Sequence, residues 1–415
     1  MPEVVETLVI GAGQAGLAMS HHLQQRGCEH LILERGRIAE RWRSERWDSL
    51  HFQFPNWMMR LPGHAYRAAD RDGFMHREGV VAFIASYAVR IGAPVRCGVN
   101  VNALQLTDKG RFRIEAGSMS MEAINIVVAT GPYQSPRIPE AAARIPAGIR
   151  QITANRYTSP SELPPGGVLV VGSGGSGCQI VEDLLLHGRP VHFAVRGHRR
   201  VPRRYRGRDF GHWDEEMGLT DRTVDQIPSG FRPPLITGVR GGHTIDLRRM
   251  AIRGATLLGS LQGVQDGGAY FAADLNSSLD AGDAAFRETL RSIDAHIETH
   301  GVAAQPNGEF DADIAMSSPS LLESEGLDLR RAGIGTVIWA LGYGYDFAWI
   351  ECPVLDGKGT PLHVRGVTKI PGLYFLGLPR LHKIKSAFLW GVGEDAAHIA
   401  DLIQCRVQRS RGSEA

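Results

Sequence analysis

No CxxC pair occurs among the five cysteines (Cys28, Cys97, Cys178, Cys352, Cys405), which argues against a thioredoxin-reductase-like mechanism with a local redox disulfide. Paired cysteine spacing is absent as well, so free thiols in a reducing cytosol are expected. Charge of one sign is also lacking. Forty-six basic and 44 acidic side chains leave a net charge of +2, too little for a surface built to bind nucleic acid. No apolar run reaches membrane-spanning length. The first strand pattern starts within a few residues of Met1, so no signal peptide is expected and the protein is read as cytoplasmic. Metal-ligand spacing, a phosphate P-loop and a Ser-His-Asp arrangement are all missing. Glycine, by contrast, is abundant at 50 of 415 residues, and 43% hydrophobic content suffices for two cores of ordinary domain size.

Seven of those glycines fall within two copies of one pattern, 161 residues apart: Gly11-Ala12-Gly13-Gln14-Ala15-Gly16 and Gly172-Ser173-Gly174-Gly175-Ser176-Gly177. Each copy follows a short apolar run and precedes a helical pattern. The order predicted is strand, tight turn, helix, strand. In such a unit Gly11 and Gly13 let the backbone turn and approach a pyrophosphate, and Gly16 lets the helix pack close to its strand. The helix N-terminus then offers free N–H groups to phosphate. Glu34 ends the second strand, where a carboxylate can accept from a ribose diol.

Laying one copy on the other sets Gly27 on Gly188, Gly36 on Gly197 and Arg35 on Arg196, but Glu34 falls on Val195. The acid is gone from the second copy, and Arg196, His198, Arg199 and Arg200 cluster there instead. A 2′-phosphate requires that exchange, because it repels Glu and pairs with guanidinium. The first site therefore suits a dinucleotide with an unmodified ribose, such as FAD. The second prefers NADPH to NADH, through Gly172, Gly174, Ser176, Gly177, Arg196 and Arg199. A run ending in Thr130-Gly131 and another ending in Ala340-Leu341-Gly342 read as the matching strands of the two units. A late strand ends at Gly377, ahead of a helix whose first turn carries Glu394 and can face the electron-rich end of a flavin.

The fold expected is α/β, with two nested Rossmann-like dinucleotide-binding domains: an FAD domain with an NADPH domain inserted in it. Residues 1–162 form the first part of the FAD domain and residues 163–342 the NADPH domain. Residues 343–415 complete the FAD domain and add a polar, frayed C-terminal tail. Within the second unit, residues 205–315 break the βαβ rhythm. They are either a packed embellishment or a lid over the cleft between domains.

These features together resemble the class B flavin monooxygenases, which include the animal flavin-containing monooxygenases, the plant indole-pyruvate enzymes and bacterial CzcO-like flavoproteins. The likeness runs over nearly the whole chain. Arg41-Trp42-Arg43 and Arg46-Trp47-Asp48 are similar to the family segment lying along FAD, so Trp42 and Trp47 join Arg35 as cofactor contacts. The stretch 386–396 is similar to the bacterial branch. One departure stands out: the family motif FxGxxxHxxx(Y/W) keeps Tyr157 but carries Thr153 in place of histidine. The resemblance implies NADPH- and O2-dependent oxygenation of a small organic substrate through a peroxyflavin, at nitrogen or sulfur rather than by Baeyer–Villiger insertion. An FAD-dependent reductase or oxidase serving a quinone or protein partner is the alternative. Gln53, Asn56 and His382, with Lys385, are the candidate polar groups beside the chemistry. No metal, nucleic acid or membrane span is expected, and a homodimer is left open.

Overall fold

The computed structural model describes residues 3–306 and 320–413. Its frame is two sheets, the first mixed and the second parallel, each raised on one copy of the glycine pattern. In the first, β1 (Glu3–Ile10) runs into helix α1 (Gln14–Gln25) and returns as β2 (His30–Glu34). The remaining strands are β3 (Val95–Cys97), β4 (Ala103–Leu106), β5 (Phe112–Ala116) and β6 (Met119–Val128), in the order β3-β2-β1-β6-β5-β4. Leu8 and Val9 are both fully buried, so β1 is covered on both faces, as a central parallel strand must be.

The second sheet is wholly parallel. It joins β7 (Arg150–Thr153), β8 (Gly167–Val171), β9 (Val191–Ala194), β10 (Ala255–Leu258) and β11 (Ile334–Trp339) in the order β7-β11-β8-β9-β10. Helix α2 (Gly175–Leu186) stands after β8 as α1 stands after β1. Strand β7 lies in sequence before residue 163, yet it pairs with β11 in this second sheet. The insertion also contributes β10, which pairs in parallel with β9, as well as helices α3 (Phe210–Glu216) and α4 (Leu275–His300). Its residues 307–315 lie outside the described residues.

After β11 the chain returns to the first sheet through β12 (Leu373–Phe375), which pairs in parallel with β6, and ends in helix α5 (Val392–Ser413). The expected frayed tail is helical from Gln404 to Ser413. Apolar Ala396, Ile399, Ala400, Ile403 and Val407 recur at helical spacing and are buried, which holds the helix to the core far past the point where composition turns polar.

The two glycine turns match in three dimensions. Gly11 and Gly172 have φ of 109° and 111°, and a Cβ on either would lie 2.7 or 2.6 Å from the carbonyl oxygen of Ala129 or Ala340. A Cβ on Gly16 or Gly177 would stand 1.9 or 1.8 Å from the Gly11 or Gly172 oxygen, so only glycine lets each helix seat on its strand. Gly13 and Gly174 differ from both: nothing of the protein lies within 4 Å of a Cβ built there.

Candidate active site

One cavity of about 1370 Å³ opens between the two sheets. Pockets for a single small ligand are usually roughly 300–1,000 Å³, so this space can hold more than one partner. From the first glycine turn it is lined by Gly11, Gly13 and Gln14, and from the second by Ser176. Both helix starts (Gly13 before α1, Gly174 before α2) carry no side-chain cap, so their N–H groups face outward unclaimed by side chains.

Glu34 lines the cavity and is 8% exposed. Its carboxylate accepts the Ala12 N–H at 2.7 Å and the Gly36 N–H at 2.8 Å. Those bonds fix the group at the end of β2 and occupy two of about four acceptor positions, leaving the others for a diol. Arg35 pairs with Glu45 at 3.6 Å at the rim. Trp42 and Trp47 both line the cavity, and the indole N–H of buried Trp47 finds no acceptor among the described residues. Thr130 and Gly131 are tied together by Gln134, whose amide donates to Thr130 Oγ1 at 3.0 Å and to the Gly131 oxygen at 2.7 Å. Gln134 also accepts the Asp346 N–H at 2.7 Å, which anchors the returning chain to the first sheet. Gly377 borders the same space and sits so close to α1 that a Cβ would lie 2.5 Å from that of Ala15.

Of the four polar residues expected beside the chemistry, Gln53 alone lines the cavity. Arg203, 1% exposed, holds it there: the guanidinium donates to the Gln53 oxygen at 2.7 Å while making two 2.7 Å bonds to Asp209. Asn56 is buried away from the cavity and donates to the Asp70 oxygen at 2.9 Å. His382 is likewise outside it, with Nδ1 3.8 Å from Asp395. Lys385 and Lys383 are spent on Asp221 and Glu394, at 2.6–2.9 Å, so Glu394 belongs to an ion-pair network rather than to the cavity wall. In the first turn of α5 Glu394 turns outward to the two lysines, while buried Asp395 pairs with Arg365 at 3.2 Å and lies 3.8 Å from His382.

The second unit divides its basic run. Arg200 is buried between Asp246 (2.7 Å) and Asp283 (2.6 Å), a structural position. His198 and Arg199 face the cavity. Arg196 is exposed just beyond β9, and its backbone exchanges bonds of 2.7 and 2.9 Å with Ser173 Oγ, which sets this loop against the second glycine turn. The Gly148-to-Tyr157 segment contributes nothing to the cavity lining. Thr153 donates to Asn155 at 2.7 Å, and Tyr157 donates to Asp183 at 2.6 Å in the core.

Several lining residues carry no readable motif. Phe52 and Phe54 meet Phe388 and Trp390 in an aromatic wall with centroids 4.6–6.4 Å apart. Opposite them, the insertion supplies Phe210, Asp214, Arg222 and Phe231. The Phe231 ring lies between Arg199 and Arg380, 5.7 and 5.6 Å from the two guanidinium carbons. Residues 210–236 therefore border the cavity, whereas α4 buries Leu279, Phe286 and Ile293 against the body of the protein. One part of the insertion thus borders the cavity and another packs on the body of the protein; the cavity-facing part includes a Pro/Gly cluster at 228–234.

The pattern of the pyridine nucleotide-disulphide oxidoreductase family matches residues 8–207. An oxidoreductase described as CzcO-like, from Geobacillus kaustophilus, is 31% identical over 96% of this chain and 98% of its own length. The probable indole-3-pyruvate monooxygenase YUCCA1 of Arabidopsis thaliana is 34% identical over 46% of each chain. Among solved structures, a flavin-containing monooxygenase from Stenotrophomonas maltophilia aligns with a TM-score of 0.66 at 17% identity, covering 98% of this chain and 99% of that one. Among the described residues no helix is long and apolar enough to cross a membrane. With its paired glycine turns and shared cavity, the chain belongs to the CzcO-like oxidoreductases, and its sequence and fold are consistent with a class B flavin monooxygenase using FAD and NADPH.

Proposed function

We propose that the protein is an NADPH- and dioxygen-dependent monooxygenase acting on a small amine or thioether. The observation that carries this reading is the single cavity shared by both glycine turns and the aromatic wall. Hydride transfer needs two nucleotides whose reacting ends meet, and oxygenation needs an apolar, water-poor place beside them.

The residues fit the groups. Open space over Gly13, spare acceptor capacity on Glu34 and the orphan Trp47 N–H suit FAD at the first turn. Open space over Gly174, the uncapped α2 and exposed Arg196 suit NADPH at the second. On this reading the FAD unit comprises the first sheet with residues 343–413, and the NADPH unit the second sheet. Bound FAD supplies hydride acceptance and dioxygen activation. The protein holds Gln53 rigid between the two sites, and Phe52, Phe54, Phe388 and Trp390 exclude water on one side. Thr153, in the family's histidine position, lies outside the cavity, and nothing about it favours carbonyl substrates.

The test is turnover of the purified flavoprotein with NADPH, isotopically labelled dioxygen and a panel of amines and thioethers. Label in an N- or S-oxide is the expected result. Unlabelled products, together with fast reoxidation by a quinone, would make the protein a reductase instead.

A further inference from the structure

The insertion bears on cofactor choice as well as on the cavity. Arg232 lies in its Pro/Gly cluster, and its guanidinium rests directly on Gly197: a Cβ there would be 3.0 Å from Nη2, 3.1 Å from Cζ and 3.3 Å from Nε. Gly197 is the residue after Arg196, three past the end of β9, and matches Gly36 of the first unit, where Arg35 and Glu34 stand one and two positions earlier. The neighbouring Phe231 is fixed by the guanidiniums of Arg199 and Arg380. The 228–234 segment is thereby laid over the basic run rather than projecting from it. Arg196 and Arg232 are both exposed, and among the described residues neither is paired with a carboxylate. The Arg232 guanidinium thus lies against the residue next to Arg196, and two uncompensated cations on neighbouring positions favour an anion with more than one charge.

We propose that Arg232 is a specificity-determining residue that reads the 2′-phosphate of NADPH together with Arg196, so that the insertion completes the second nucleotide site. This rests on assigning NADPH to the second glycine turn. Gly197 is part of the device, because any side chain there would push the Arg232 guanidinium away. The motive for an arginine from outside the βαβ unit is geometric. Val195 offers no charge and Arg200 is consumed by Asp246 and Asp283, while Arg232 and Arg199 both border the cavity. Without Arg232 the basic run has only Arg196 and Arg199 to offer a dianion.

The experiment is equilibrium binding by calorimetry to the FAD-loaded protein, with adenosine 2′,5′-bisphosphate and 5′-AMP as probes. The unsubstituted protein is expected to prefer the bisphosphate. Arg232→Ala should weaken the bisphosphate by about tenfold or more and leave 5′-AMP within about twofold. Arg232→Lys should recover part of the loss. Gly197→Ala keeps the arginine but displaces it, and should reproduce part of the effect. Loss of both probes alike, or of neither, in Arg232→Ala would overturn the inference while leaving the site's assignment intact, provided Arg196→Ala still weakens the bisphosphate selectively. If the unsubstituted protein does not distinguish the probes, the NADPH assignment fails and this inference fails with it.

Discussion

The side-chain amide of Gln53 stands against Gly175, the first residue of α2, with Nε2 3.4 Å from the point a Cβ on that glycine would occupy. Gln53 lies in the aromatic wall on the side of the first glycine turn, and Gly175 opens the helix of the second. One amide therefore spans the junction of the two nucleotide sites, and Arg203 fixes its backbone from the second unit. Gln53→Ala should retain FAD and fold normally, yet slow anaerobic bleaching of the flavin by NADPH by roughly tenfold, the scale of one positioning hydrogen bond. Rapid-mixing absorbance measures it directly. An unchanged bleaching rate would remove Gln53 from the junction.

The glycines of each fingerprint should separate into two classes on substitution. Gly16→Ala and Gly177→Ala drive a methyl into a backbone oxygen less than 2 Å away. The helix must lift from its sheet, at a cost of about 3 kcal/mol or more. Gly13→Ala and Gly174→Ala meet no protein atom and have ordinary φ of −84° and −76°, so the fold should be kept. Their methyls instead enter the space a pyrophosphate needs. Gly13→Ala should yield a stable, colourless protein, and Gly174→Ala a yellow one with a raised KM for NADPH. Thermal melts and bound-flavin absorbance together check all four. A colourless but equally stable Gly16→Ala protein would contradict the packing role.

The fingerprints were legible because their demands are local: a turn of two residues and a helix seated on its strand leave few choices at those positions. Trp42 and Trp47 were legible through the resemblance of their segment to the family's, and both line the cavity. His382, Asn56 and Glu394 fall outside the cavity lining for one shared reason. Each lies close in sequence to a cavity-lining residue, but a polar partner on a neighbouring segment sets its direction: Asp395 near His382, the Asp70 carbonyl for Asn56 and two lysines for Glu394. Phe210, Asp214, Phe231 and Arg232 were unreadable because the insertion has no period of its own. Its path follows from packing on both sheets at once.

Arg196→Ala should cost about 2 kcal/mol of transition-state binding with NADPH, close to a thirtyfold fall in kcat/KM, with the loss falling mainly on KM. The NADH values should stay nearly unchanged, because Arg196 faces solvent and supports nothing in the core. Steady-state kinetics with both nucleotides decides this. Equal losses would show that the guanidinium does not discriminate at the ribose.

Asp214 offers a test of the insertion's cavity face through pH. Its carboxyl is 4% exposed, and burial raises its pKa from 3.8 to about 6, against the lowering effects of the Thr220 hydroxyl and Arg199. Asp221 and Glu215 nearby push in the same direction as burial. Below the unfolded value both states carry the proton. Between 3.8 and about 6 the folded protein keeps a proton that the unfolded chain has released, so stability falls as pH rises through that window and stays lower above it. Asp214→Asn preserves an acceptor for Thr220, whose hydroxyl donates at 2.9 Å, and removes the buried charge. The variant should be more stable at neutral pH by roughly 1 to 3 kcal/mol, the lower figure if Arg199 loses much of its attraction. Its denaturation midpoint should also vary less between pH 4 and 7. Chemical denaturation across that range measures both. A variant that is less stable at neutral pH, with an unchanged slope, would mean Asp214 is held as a charged partner of Arg199 instead of a strained acid.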